Sequence, residues 1–237
     1  MVAGADVDRR VLRDQVYDRL LEMLLQGGLR PGDRLSIDLL ARQLDVSPTP
    51  VREAMVHLER TGLVAREALK GYRVAPPLDH DQLAELFDAR VLLEVGAARS
   101  AAVDAERTAA DLWVAHERHR VVVERIVAVR GEIPLELTRE FFRADEAFHA
   151  VVFAHARNRY LVELYDQLGA LTHRMRQVVV RGPVDVADAF AEHAAIVEAF
   201  ATGDGEAAAV AMREHLGRAR ARALADSDAA LGERAES

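Results

Sequence analysis

The chain has no cysteine among its 237 residues, which excludes a disulfide framework and a thiolate nucleophile. It has no apolar run close to the roughly 18 residues that a membrane-spanning helix needs. Its first 14 residues mix acidic and basic side chains and lack the apolar segment of a signal peptide. We therefore expect a cytoplasmic protein with no membrane partner.

The chain also lacks an excess of basic residues, since its formal net charge is −8. The charge is unevenly distributed: residues 1–77 contain 12 Lys or Arg and 11 Asp or Glu, whereas residues 78–237 contain 19 and 28. The front third is thus electrostatically distinct from the rest. Its net charge of +1 is not a strong basic patch. Any affinity for nucleic acid must therefore come from locally placed basic side chains and from dimerisation.

What the sequence does contain is a well-delimited helix at 46–62, VSPTPVREAMVHLERTG. Ser47 is typical of an N-cap, because its hydroxyl can accept from a first-turn N–H. Pro48 and Pro50 fall in that first turn, where the backbone N–H groups have no partner inside the helix. Gly62 is typical of a helix end. The segment therefore predicts a short helix with a firmly defined start.

One face of this helix is apolar and another is left for a partner. Helical spacing groups the apolar residues Val51, Met55 and Leu58. The polar residues at or near the N-terminal end are Ser47, Thr49 and Arg52. Small hydroxyls and one arginine at a helix start suit the major groove of DNA. The alternative is an ordinary surface helix.

The segments around this helix form a recognisable order. Periodicity predicts helices at 11–26 and 37–44 before it. Two short strand-like runs follow at 63–65 and 72–74, separated by a stretch long enough for a hairpin loop. Helix, helix, turn, helix and β-hairpin is the order of a winged helix-turn-helix domain.

The dipeptide Pro76-Pro77 is the clearest boundary in the sequence, because it is stiff and disfavours helix on its N-terminal side. Beyond it we find no strand signal. Six helices are predicted, at 79–102, 104–130, 135–155, 158–180, 185–202 and 206–225. The breaks between them are short, which favours an antiparallel six-helix bundle. The expected fold class is therefore mainly α.

The first domain, residues 9–76, resembles the winged-helix domain of the GntR family of bacterial transcription regulators. The resemblance is carried by Leu29-Arg30-Pro31-Gly32-Asp33-Arg34-Leu35, Leu40-Ala41, Leu44, Ser47-Pro48-Thr49-Pro50-Val51-Arg52-Glu53-Ala54, Leu58, Gly62-Leu63-Val64, Gly71 and Val74-Ala75. The second domain, residues 80–225, resembles the FCD effector domain of the FadR-like subfamily. The resemblance implies that the front domain binds DNA as a homodimer, and that the rear domain dimerises and binds a small acid.

The resemblance also implies roles for individual residues. Arg52 would contact the DNA backbone or a guanine, and Ser47 and Thr49 would contact phosphates or base edges. The wing would contribute Lys70, Gly71 and Arg73. Pro48 and Asp38 stand where relatives often carry basic residues, so an operator sequence cannot be borrowed from a relative.

One carboxylate and three histidines in the second domain form a candidate metal site. Asp145 and His149 are four residues apart, so they share one helix face, and His193 and His215 lie on apolar stripes of two later helices. Such a donor set suits Zn²⁺, Ni²⁺, Mn²⁺ or Fe²⁺. The alternative is a set of core histidines satisfied by their neighbours. The FCD resemblance favours the metal.

The remaining histidines lack such support. His80, His116 and His119 are predicted to be solvated positions on helix surfaces, and His155 has no role assigned. His173 lies mid-bundle beside Arg174 and is a candidate for lining a cavity.

Arg90 falls on an apolar stripe, and a buried arginine needs an anion. Glu94, one helical turn on, would supply it in a purely structural pair. The functional alternative is a bidentate clamp for the carboxylate of an effector, and the resemblance favours it. Asn158 and Arg174, with Arg176, are further candidates for the same pocket.

These observations lead to three functional hypotheses. The first is a ligand-responsive transcription regulator, expected to be a repressor, which binds a palindromic operator as a homodimer and senses a small organic acid beside the metal. The second is a metal-dependent enzyme performing hydrolysis or redox chemistry, for which no clearly placed general base is found. The third is a direct metal sensor. Titrating operator binding with metals and with acids separately discriminates the first from the third.

Overall fold

The structure is a computed structural model that describes residues 3–25, 29–60, 62–67, 71–131, 133–176 and 183–235. The chain divides into two compact units, Met1–Pro77 and Leu78–Ser237. Elements of the first unit are α1 (Ala3–Leu25), β1 (Arg34–Leu35), α2 (Ile37–Gln43), α3 (Pro48–Arg60), β2 (Val64–Glu67) and β3 (Gly71–Val74). This is the predicted winged helix-turn-helix.

Local chemistry sets the limits of the helices in the first unit. The Ser36 side chain accepts from the backbone N–H of Leu39 and so caps α2. Asp45 takes a positive φ of 53° in the tight turn between α2 and α3. Gly62 takes a φ of 69° after α3, a conformation that costs glycine nothing.

A small antiparallel sheet closes the first unit. Its strand order is β1-β3-β2, with Arg34 opposite Arg73 and Val64 opposite Val74. The strand β1 was not predicted, because two residues are too few to show an alternating pattern. The core beneath the sheet includes Val16, Leu20, Leu24, Leu40, Val51, Met55, Leu58, Leu63 and Val74.

The described part of the second unit contains six α-helices, as predicted. They are α4 (His80–Ala101), α5 (Ala105–Val127), α6 (Leu135–His155), α7 (Arg159–Arg176), α8 (Pro183–Ala201) and α9 (Gly205–Ala235). Asp79 and Gln82 form a reciprocal capping box at the start of α4. A short 3-10 turn joins α4 to α5.

The predicted helix bounds differ from the observed ones chiefly at the chain ends. The first helix begins at Ala3 rather than at residue 11, and the last continues to Ala235 rather than ending near residue 225. Polar, alanine-rich sequence carries little hydrophobic periodicity, so its helices are hard to delimit. The fold class is confirmed. No helix in the described ranges is long and apolar enough to cross a membrane.

Helix packing in the second unit brings polar side chains together. Helix α5 packs against both α6 and α8, α4 packs against α6, α7 and α9, and α8 packs against α9. The main core comprises Val95, Leu112, Phe148, Val152, Phe153, Ile196, Phe200, Met212 and Leu216, among others. The buried histidines lie on the same helices.

Candidate functional site

The first unit presents the polar start of α3 to solvent. Ser47, Thr49 and Arg52 are exposed. On the opposite side Val51, Met55 and Leu58 are fully buried. Burying each of these side chains contributes about 1.5–3 kcal/mol, so packing decides which face of α3 points inward. The helix therefore leaves its hydroxyls and its arginine available to a partner.

The wing is held together by one of the residues predicted to contact DNA. Arg73 Nε donates to Glu67 Oε1 at 2.8 Å, across the hairpin, and its guanidinium also donates to the Gly32 carbonyl. The hydrogen bond with Glu67 raises the pKa of Arg73. Gly71 begins β3 with a φ of 87°. Lys70 lies outside the described residues. Arg73 thus has a structural task in the wing besides any contact with DNA.

Three histidines of the second unit converge in its interior. His149 of α6, His193 of α8 and His215 of α9 are buried, and one ring nitrogen of each lies within 4.8 Å of those of the other two. Their ring centroids are 4.7–5.2 Å apart. Burial lowers the pKa of His193 and of His215, which favours neutral rings. The structure therefore brings together the three histidines that the sequence grouped.

Asp145, the fourth predicted ligand, lies beside this cluster. Its Oδ1 atom is 3.6 Å from His193 Nε2, and its side chain is 18% exposed. It sits one helical turn before His149 on α6. The carboxylate is therefore placed where it can join the histidines on a shared ion.

Two charged pairs, which the sequence did not connect to the histidines, flank the cluster. Glu94 of α4 accepts a hydrogen bond from Arg90 Nε through Oε1, at 2.7 Å. Its other carboxylate oxygen, Oε2, lies 2.6 Å from His149 Nδ1. Burial alone would raise the pKa of Glu94, but Arg90 and then His149 outweigh it and hold the pKa at about 2. Arg90 is 7% exposed, so it is buried as predicted, and its anion is Glu94. The pair with Glu94 that the structural alternative requires is therefore present.

The second pair contacts a different histidine of the cluster, His215. Arg222 of α9 donates to both carboxylate oxygens of Glu192, at 2.7 and 2.9 Å. Glu192 Oε2 lies 2.9 Å from His215 Nδ1. Burial would raise the pKa of Glu192, but hydrogen bonds from Arg222 and His215 hold it at about 2. Glu192 immediately precedes the candidate ligand His193, but its contact with a different helix needs the folded structure to be seen.

The surface prediction was wrong for two histidines. His116 and His119 are buried, because α5 packs against α6 and α8 at once and has little free surface there. His116 stacks on Phe190 with ring centroids 4.0 Å apart. His119 Nδ1 lies 3.3 Å from His193 Nδ1, and burial lowers the pKa of His119 to about 4. The missed signal was the helical stripe Leu112, His116, His119, Val123 and Ile126.

Two further histidines of the second unit have described side chains, His80 and His155. His80 is exposed, as predicted. His155 Nε2 lies 2.8 Å from Asp111 Oδ2 on the outer part of α5.

The remaining predicted effector residues do not join the cluster in the described structure. Asn158 is exposed, and its side-chain oxygen accepts from the backbone N–H groups of Tyr160 and Leu161 at the start of α7. In the structure its side chain caps α7, and its contact with an effector stays a prediction. The side chains of Arg174, Arg176 and His173 lie outside the described residues.

The buried nitrogens of the cluster fit a metal ion. His149 Nε2 and His193 Nε2 have no hydrogen-bond partner among the described residues. A buried polar atom left in this way costs about 1–3 kcal/mol. Neutral imidazoles and a carboxylate are the donors that a divalent transition metal prefers, and coordination would satisfy these nitrogens. The residues present thus pass the chemical test for a metal site.

Comparison with known proteins identifies the two units. Residues 12–74 match the family model "Bacterial regulatory proteins, gntR family", and residues 85–218 match the FCD domain model. The chain belongs to the GntR family. Its FCD domain fits the FadR-like subfamily, so the resemblance noted in the sequence is confirmed.

GntR-family relatives match along most of the chain. The HTH-type transcriptional regulator LutR of Bacillus subtilis is 30% identical, with 82% of this chain and 93% of LutR covered. A probable D-xylose utilization operon transcriptional repressor of Paenarthrobacter nicotinovorans is also 30% identical, with 88% and 87% covered. The fold is similar to that of E. coli McbR/YncC, with a TM-score of 0.72, 22% identity, and 90% and 96% covered.

These relatives decide between the functional classes. They are transcriptional regulators, so this GntR-family chain is a transcription regulator and not an enzyme. Its winged helix-turn-helix is a DNA-binding domain and its FCD domain is of a type that takes a small-molecule effector.

Proposed function

We propose that this GntR-family chain is a ligand-responsive repressor, which senses a small organic acid in a metal-containing FCD domain. The proposal rests chiefly on one observation. Two buried imidazole nitrogens, His149 Nε2 and His193 Nε2, lack a hydrogen-bond partner in the described structure, and the second lies 3.6 Å from Asp145 Oδ1. The same chain exposes the polar start of α3 in its DNA-binding domain.

The DNA-binding part of the proposal is a homodimer on a palindromic operator. Each α3 enters a major groove with Ser47, Thr49 and Arg52 toward the DNA, and the two half-sites lie about one helical turn apart. The guanidinium of Arg52 suits bidentate contact with a guanine or a phosphate. A net charge of only +1 in residues 1–77 favours a dimer, because one unit alone gains little from phosphate contacts.

The metal part of the proposal assigns Asp145, His149, His193 and His215 as ligands. When bound, a divalent transition metal there supplies open coordination positions and positive charge. The flanking acids are already balanced, since Glu94 pairs with Arg90 and Glu192 pairs with Arg222. Asp145 is the one carboxylate among the four proposed ligands, so a doubly charged ion keeps a net positive charge there. The remaining positive charge favours an anionic effector such as a small carboxylic acid.

Arg90 is placed to recognise the same acid. Burial disfavours its charged form, but Glu94 and Asp145 outweigh burial and raise the pKa of Arg90. Arg90 is connected to a candidate metal ligand through Glu94, which contacts both Arg90 and His149. Arg90 Nε donates to Glu94. The other N–H groups of the Arg90 guanidinium are donors for an effector carboxylate. The acid would then shift the population between DNA-binding and non-binding dimers.

Repression is proposed as the output. The Paenarthrobacter relative is named a probable operon repressor, which supports this direction of control. In this arrangement the unliganded dimer holds the operator and the acid releases it.

Selection of DNA followed by effector titration tests the proposal. The purified full-length chain is used to select duplexes from a random pool, and its Kd for the selected duplex is measured in three states. These are metal-stripped protein, protein loaded with Zn²⁺, Ni²⁺, Mn²⁺ or Fe²⁺, and loaded protein with each of a panel of small carboxylic acids. We expect an inverted-repeat site and a Kd shift of about 5- to 150-fold by an acid, only in loaded protein.

Other results would replace parts of this proposal. A Kd shift caused by metal alone, with no acid effective, would make the chain a direct metal sensor. An acid response that is equal in metal-stripped protein would remove the metal from the mechanism. Failure to enrich any DNA sequence would contradict the proposal that the chain binds a specific operator.

A further inference from the structure

Each candidate metal-ligating histidine has a separate polar neighbour at its Nδ1 atom. His149 Nδ1 forms an ion-pair contact of 2.6 Å with Glu94 Oε2, which does not meet hydrogen-bond geometry, and His215 Nδ1 lies 2.9 Å from Glu192 Oε2. His193 Nδ1 lies 3.3 Å from Nδ1 of His119. The three neighbours come from three different helices, α4, α8 and α5. All three rings thus have Nδ1 beside a polar group that is not itself a candidate ligand.

The other ring nitrogens belong to the inside of the cluster. Nε2 of His149 and Nε2 of His193 are buried without a hydrogen-bond partner among the described residues, and the latter faces Asp145 at 3.6 Å. A neutral imidazole carries one proton, and the nitrogen that holds it is set by the bond that the ring makes. A carboxylate can only accept, so Glu94 and Glu192 favour the Nδ1–H forms of His149 and His215. The Asp145 carboxylate lies 3.6 Å from His193 Nε2, too far for a hydrogen bond, and makes no such selection there.

For His193 the neighbour that can fix the position of the ring proton is another imidazole, that of His119. Two Nδ1 atoms at 3.3 Å can bond only if one carries the proton and the other offers its lone pair. We propose that His119 is a positioning residue that accepts from His193 Nδ1–H. It thereby leaves His193 Nε2 with a lone pair toward the cluster, as Glu94 and Glu192 do for the other two histidines. The inference rests on the proposed metal site and assigns a function to a residue outside it.

The surroundings of His119 support an orienting role over a stabilising one. The ring is fully buried against Phe141, at 4.7 Å between centroids. If its Nδ1 accepts, its Nε2 carries the proton, and this atom has no hydrogen-bond partner in the described structure. An unsatisfied buried donor costs stability, so the ring is poorly explained as core packing. An apolar residue there removes that cost and should leave the protein folded.

Histidine tautomers in metal-free wild-type protein give a direct test. Long-range ¹H–¹⁵N spectra of ¹⁵N-histidine-labelled protein report which nitrogen of each ring carries the proton. We expect His149, His193 and His215 to carry it on Nδ1 and His119 to carry it on Nε2. A His193 ring protonated on Nε2 would overturn the inference. This readout is independent of whether metal binds. A wild-type chain that has these tautomers but no affinity for Zn²⁺ would contradict the proposed metal site and leave the role of His119 in fixing the His193 tautomer intact.

Variants of His119 test its effect on the ion. Zn²⁺ affinity is measured by competition with a chelating indicator. His119→Leu should bind Zn²⁺ about 10- to 100-fold more weakly, the usual effect of removing a residue that orients a ligand. His119→Asn places an amide oxygen near the position of Nδ1 and should recover most of the affinity. Unchanged affinity in His119→Leu, or equal loss in both variants, contradicts the positioning role.

His116→Leu is the matched control. His116 is a buried histidine on the same helix, one turn before His119, and it stacks on Phe190. Its removal should leave Zn²⁺ affinity and the tautomer of His193 unchanged. A loss equal to that of His119→Leu would indicate a general packing defect in α5 and would overturn the inference.

Discussion

The two units of this chain treat their polar side chains in opposite ways. The first unit buries an apolar face of α3 and leaves Ser47, Thr49 and Arg52 in solvent. The second unit takes histidines, glutamates and an arginine into its core and pairs them there. Exposed groups cost nothing to keep ready for a highly charged partner such as DNA. Buried groups need partners already in place, and His149 Nε2 and His193 Nε2, which have no hydrogen-bond partner among the described residues, indicate where a ligand belongs.

The largest expected effect comes from removing a buried ligand. His193→Ala should lower the affinity for Zn²⁺ by more than about 100-fold, since it removes a donor outright rather than a residue behind one. The response to the effector should disappear, while DNA binding in the absence of effector persists. Metal analysis and operator titration check the two parts. A full effector response without bound metal would break the proposed link between the site and the response.

The next effect belongs to the exposed helix. Arg52→Ala should weaken operator binding by about 2–6 kcal/mol for the two half-sites of a dimer together, because each base contact contributes about 1–3 kcal/mol. Zn²⁺ affinity and the thermal transition should stay at wild-type values, since Arg52 is exposed. Fluorescence anisotropy with the selected duplex measures the loss. Unchanged operator affinity would remove Arg52 from the interface.

A third variant tests how much a buried charge pair contributes to stability compared with an exposed one. Glu94→Ala leaves Arg90 buried without its anion and should lower the free energy of unfolding by about 3–5 kcal/mol. The control is Arg99→Ala, which breaks the exposed pair between Arg99 and Glu206, where a change of about 0–1 kcal/mol is expected. Urea denaturation measures both. Equal effects would show that Arg90 finds another anion or reaches solvent.

The smallest expected change in stability tests the role of Asn158 as the cap of α7. Asn158→Ala should cost about 0.5–2 kcal/mol of stability, because it removes the cap of α7. The effector response should not change. A variant of normal stability that no longer responds to the acid would return Asn158 to the pocket.

Much of this architecture could be predicted from the sequence, because helices with a buried face show a periodic pattern of apolar residues. The four-residue spacing of Asp145 and His149, and the stripe positions of His193 and His215, placed the three histidines on inward faces that do converge. The winged domain was visible from its caps and its turn. The two-residue strand β1 was not, since its pairing with β3 is a tertiary event.

The supporting residues of the site could not be predicted in the same way. Glu94 meets His149 across two helices, and Glu192 meets His215 across two others, so both contacts depend on helix packing. His119 was misplaced because the stripe on α5 was not weighed, although Leu112 and Ile126 mark it. The cap role of Asn158 was not predicted, because the same side chain serves equally as a cap or as a ligand group.

The position of Glu94 has a mechanical consequence. It lies on α4, a continuous helix of 22 residues that begins at His80, three residues beyond Pro77. A helix rises about 1.5 Å per residue and keeps its own hydrogen bonds, so its turns cannot move independently. A rotation imposed at Glu94 by its contact with His149 would therefore reappear at the capped first turn. The carboxylate that contacts His149 is thus attached to a rigid helix whose first turn follows Pro76-Pro77 in the sequence.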